Sequence, residues 1–71
     1  MPTIRLAPAY WLEREAARVE GVLTQNMPRD GLSVDEALTL LAEYGLTYSR
    51  EDLLAIRDTL VAKGVLEIVS A

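Results

Sequence analysis

The chain has no cysteine and no histidine among its 71 residues. The first absence excludes disulfides. Together the two exclude zinc sites of the common kinds and the usual nucleophile–base pairs of covalent catalysis. No apolar run approaches the roughly 18–20 residues of a membrane span. The start, MPTIRLAPAYW, lacks the charged opening and continuous apolar stretch of a signal peptide. The expectation is a cytoplasmic protein with no membrane partner. Glycine is sparse, with four residues scattered mostly at turns and helix ends, so there is no phosphate-cradling loop. No enzyme activity, small-molecule substrate or cofactor is expected.

Positive charge is also scarce. Seven basic residues face eleven acidic ones, for a formal net charge of −4. Nucleic-acid-binding domains usually carry a basic patch and often a pI above ~9, so this balance disfavours a nucleic-acid partner. What the chain has in quantity is apolar side chains, 51% of the total. A single domain this short buries only about 60% of its unfolded surface, and its core rarely supplies more than ~3–5 kcal/mol. The apolar content therefore reads as a core with some apolar surface left for a partner.

Along the chain, Thr3–Leu6 (TIRL) alternates and reads as a short strand. Pro8 suits the first turn of a helix, predicted over about 9–25, with Leu12, Ala16, Val19 and Leu23 as its inward stripe and Val22 widening it. Arg14 and Arg18 share a side as like charges, which Glu15, three before Arg18, can offset. A loop with Pro28 and Asp30-Gly31 follows. Ser33 with Glu36 three residues later forms a capping box, opening a second helix over about 34–44 that Gly45 ends. Ser49 caps a third helix over about 50–63, whose first turn carries Glu51 and Asp52, where acids favour the helix dipole. Gly64 stops it, and Val65–Val69 (VLEIV) is β-prone. A lone strand is unstable, so TIRL and VLEIV are predicted to pair across the chain ends.

The order helix, glycine turn, helix, glycine stop, strand over Ser33–Val69 resembles a winged helix-turn-helix domain. The ending LVAKGVLEIV is similar to the close of a recognition helix entering a wing. GLTYSREDLLAIRDTLVAKGVLE also resembles small winged-helix proteins of tailed phages and prophages. The resemblance covers about half the chain and implies a mainly α fold with a small β part: a winged-helix-like three-helix domain with a two-stranded sheet from the N- and C-terminal strands, as a single domain over 1–71. With Ala71 as the last residue read, no return strand for a full wing is expected. Winged helices include transcription regulators and modules that bind only proteins.

The candidate residues divide accordingly. A protein interface, with a foreign partner or in a homodimer, would draw on Tyr10, Trp11, Leu40, Tyr44 and Tyr48, since Trp and Tyr are enriched among interface hot spots, together with the acidic Glu51 and Asp52. The phage-like resemblance extends this to an inhibitor of a host nucleic-acid-binding protein, of anti-CRISPR kind, whose carboxylates occupy phosphate positions. The alternative is a dimeric DNA-binding regulator reading the major groove with helix three through Arg50, Arg57 and Lys63, with Arg29 nearby. Against it, Glu51, Asp52 and Asp58 are interleaved with those cations.

Overall fold

Proline lacks an N–H that the first helical turn would leave unpaired in any case, and Pro8 does open the first helix. The computed structural model describes residues 2–69. It contains α1 (Pro8–Asn26), α2 (Val34–Glu43) and α3 (Arg50–Ala62). Each bound lies within one residue of the range read from the sequence, inside the margin by which helix ends fray.

The ends of α2 and α3 follow from their punctuation. At α2, the Glu36 N–H donates to Ser33 Oγ at 3.1 Å and the Ser33 N–H donates to Glu36 Oε1 at 3.0 Å, so both halves of the capping box are made. At α3, the Asp52 N–H donates to Ser49 Oγ at 3.1 Å. Both helices end in the same motif. Gly45 takes φ 79°, its N–H donates to the Ala42 carbonyl at 3.0 Å, and the Leu46 N–H donates to the Leu41 carbonyl at 2.9 Å. The pattern repeats with Gly64 and Val65 donating to Val61 and Leu60. These paired bonds satisfy carbonyls that a helix end would otherwise leave orphaned.

Ala16, Val19 and Leu23 of α1, Ala37 and Leu41 of α2, and Leu53, Ile56 and Leu60 of α3 form the buried core. Trp11, Leu12, Leu38, Leu46, Tyr48 and Leu66 are among the partly buried side chains closing around it. The α1 helix packs chiefly against α3.

The predicted sheet is not there. Among the described residues there is no strand, and Thr3–Leu6 and Val65–Val69 do not pair. The fold is all-helical, where a mainly α fold with a two-stranded sheet was expected. The cause is the length of α1, 19 residues, or roughly 28 Å at 1.5 Å per residue. Thr3–Leu6 precedes the start of that helix, where Leu6 borders Pro8 and Trp11. The chain leaving α3 returns to the other half of α1, with Leu66 beside Val19 and Leu23. Leu66 turns onto the core, while Ile4 stays 94% exposed and Leu6 47% exposed. The helix, glycine turn and helix expected over Ser33–Lys63 are present as α2, Gly45 and α3.

Candidate interaction surface

Glu15 follows Leu12 by three residues and precedes Val19 by four, so helical spacing turns it toward the apolar stripe. It is only 5% exposed. A buried carboxylate is tolerated only with partners, and Glu15 has them on both oxygens. The Tyr48 hydroxyl donates to Oε1 at 2.8 Å and Arg14 Nε donates to Oε2 at 2.9 Å, with Arg18 Nη1 at 3.7 Å from the same oxygen. Hydrogen bonding by Tyr48, reinforced by the two guanidinium groups, holds the Glu15 carboxyl below its ordinary value against the opposing pull of burial. Burial and then the Glu15 carboxylate push the Tyr48 phenol up to about 12. The cluster therefore fixes the turn between α2 and α3 against α1. Both carboxylate oxygens are paired, which makes the cluster a structural tie.

The aromatic and acidic candidates do not gather into one patch. Trp11 is partly buried against the core and, with Arg5, Leu6, Pro8 and Asp52, lines a shallow cleft at the start of α1. Tyr10, the next residue back, is exposed. Tyr48 is engaged with Glu15. The exposed Tyr44 donates its hydroxyl to Asn26 Oδ1 at 3.0 Å, bridging the ends of α2 and α1. Leu40 is partly buried against the core. Glu51 and Asp52 are exposed on the first turn of α3.

The cations proposed for DNA are mostly engaged. Arg50 Nη1 pairs with Asp35 Oδ1 on the first turn of α2. Arg57 reaches Asp58 Oδ1 through Nε at 3.1 Å and Nη2 at 2.8 Å. Arg29, in the loop after α1, and Lys63, the C-cap of α3, are exposed, and among the described residues neither makes an ion pair.

The feature that sequence reading missed is a groove of about 450 Å³ beside the core. Its floor is apolar, with Val19 and Leu23 of α1 and Leu53 and Leu54 of α3. One wall is the segment after α3, with Leu66 and Ile68, and the other is the loop into α2. Asp30, Glu36 and Glu67 stand at its edge with Arg57, whose charge is already matched by Asp58. The rim is therefore net negative. Glu36 remains a carboxylate there, because bonds from the Ser33 backbone and hydroxyl hold its carboxyl below the ordinary value. Among the described residues the backbone groups of Glu67, Ile68 and Val69 make no backbone hydrogen bond, so this wall presents unpaired backbone groups. The sequence marks its residues only for separate roles, as stripe, turn, cap or strand, and nothing local brings Asp30 and Gly31 beside Leu54 and Ile68.

These elements define a small three-helix domain with an acidic-rimmed apolar groove and no helix long and apolar enough to cross a membrane. Comparison with protein-family models, curated proteins and solved structures gave no match.

Proposed function

We propose that the protein is a non-enzymatic interaction module that binds protein, and that the groove between α1, α3 and the segment after α3 is where it does so. The observation that carries this reading is the combination in one place of an apolar floor, a carboxylate rim and a wall with unpaired backbone groups. That combination suits an extended peptide, which takes backbone bonds from the edge and side-chain specificity from the floor. The rim selects for a segment that carries cations between apolar residues. A cytoplasmic setting goes with this reading. DNA binding through α3 is the weaker alternative, because Arg50 and Arg57 each hold a carboxylate that a phosphate would have to displace.

Selection from a random peptide library on the immobilised protein tests the reading. Enriched peptides should alternate apolar residues with Lys or Arg and lose binding to a Leu54→Glu variant that still shows native helix content. Absence of enrichment would count against the groove. So would binding of a mixed-sequence duplex whose affinity falls steeply with salt, as counterion release requires.

A further inference from the structure

We infer that the groove of one copy takes the N-terminal arm, Thr3–Leu6, of a second copy of this chain; this rests on reading the groove as a protein-binding surface. The arm has the chemistry that the groove calls for. Its single charge, Arg5, lies between Ile4 and Leu6, both substantially exposed. Among the described residues Arg5 makes no ion pair, and no backbone hydrogen bond is made by Thr3–Leu6. Leaving Ile4 in water forgoes the stabilisation of burying a large apolar side chain. The groove offers Val19, Leu23, Leu53 and Leu54 as an apolar seat, with Asp30, Glu36 and Glu67 for the guanidinium.

The geometry allows the exchange between two copies though not within one. The arm and the groove lie at opposite ends of α1. A two-fold axis that runs two α1 helices antiparallel brings each arm to the other copy's groove, and the two contacts are then equivalent and closed. Charge also discriminates between occupants from a second copy. Seating its Val65–Val69 segment would bring a second Glu67 to a rim that already holds three carboxylates, whereas the arm brings Arg5.

Sedimentation velocity of the full chain, from micromolar to millimolar concentration, tests this. The wild type should move from monomer to dimer as concentration rises. Arg5→Glu, Ile4→Asp and Glu67→Arg should each weaken the dimer by about tenfold or more, with helix content unchanged in circular dichroism. The combined Arg5→Glu/Glu67→Arg variant should recover part of the loss. A chain that stays monomeric at millimolar concentration would overturn the inference, and so would a dimer indifferent to Arg5→Glu and Ile4→Asp. A labelled peptide of residues 2–8 separates this failure from failure of the groove itself. If that peptide does not bind while library-selected peptides do, the arm is wrong and the groove stands. If neither binds, both fall.

Discussion

The Tyr48 hydroxyl donates a 2.8 Å hydrogen bond to Glu15 Oε1 across 33 residues of sequence. It joins the turn between α2 and α3 to the middle of α1. The acceptor is a carboxylate that is also held by Arg14 and Arg18, so the bond is charge-assisted. In a domain with so small a core, one such bond is a sizeable share of the stability.

Tyr48→Phe removes the donor and keeps the ring. A hydrogen bond to a charged group is worth about 1.5–3 kcal/mol, and partial exposure of Tyr48 puts the expected loss near the lower end, about 1.5 kcal/mol. Urea unfolding measures it. In a double-mutant cycle with Glu15→Gln, the two changes should be coupled, since they remove one contact. Strict additivity would show that the bond contributes nothing in solution.

The same pair sets the pH response. The Glu15 carboxyl is lowered from 4.5 in the folded chain. Its contribution to stability is therefore complete above 4.5 and is lost as pH falls through the depressed folded value. The Tyr48 phenol is raised from 10.0 to about 12. Its contribution is complete below 10 and fades as pH rises toward 12. Stability should form a plateau between those limits. In Glu15→Gln the acid limb should become shallower in pH-dependent urea melts, the part due to Glu36 remaining. The phenolate absorbance of Tyr48 should shift down without returning to 10, because burial is the larger cause of its rise.

The helices were legible because three independent signals agree at each of α2 and α3: an apolar period, a serine cap and a glycine stop. The sheet was misread because alternation in VLEIV is a statement about side-chain faces and carries no information on whether a mate lies within reach. Leu66 uses that alternation to reach the core, and the rest of the segment becomes a groove wall. Burial of Glu15 could have been read from its spacing to Leu12 and Val19. The spacing was outweighed by the presumption that a carboxylate on an amphipathic helix faces water. The groove was not legible at all, since its sides come from four separate stretches of chain.

The two serine caps should be worth similar amounts. Ser33→Ala leaves the Glu36 N–H without its acceptor, and Ser49→Ala does the same to the Asp52 N–H. Each should cost about 1 kcal/mol. The caps serve different helices and share no partner, so the double variant should lose roughly the sum, about 2 kcal/mol. Thermal melts of the four proteins decide it. A cost at Ser33 much below that at Ser49 would mean the capping box is not formed.

Leu60 has no exposed surface, being packed among Val19, Ile56 and the other core residues. Leu60→Ala should cost about 2–5 kcal/mol, which matches the ~3–5 kcal/mol that a core of this size supplies. The variant should be substantially unfolded at physiological temperature, with collapsed amide dispersion in its NMR spectrum. Leu54→Ala, at the half-buried groove floor, should retain a native spectrum. If Leu60→Ala stays folded, stability must come from outside the single-chain core, and self-association would be the place to look.

Two glycines should respond oppositely to alanine. Gly21 lies inside α1, with nothing within 4 Å of an added Cβ, so Gly21→Ala should stabilise the monomer by about 0.5–1 kcal/mol through helix propensity. Gly45 ends α2 at φ 79°, where a Cβ is strained by roughly 1–2 kcal/mol, and Gly45→Ala should destabilise by about that amount. Urea unfolding at low micromolar concentration reads both. A neutral Gly45→Ala would mean that α2 can end without its left-handed residue, leaving the Leu46-to-Leu41 bond inessential. A destabilising Gly21→Ala in dilute solution would mean that something already packs against the middle of α1. Since no residue of the same chain approaches it there, that something would have to be another molecule.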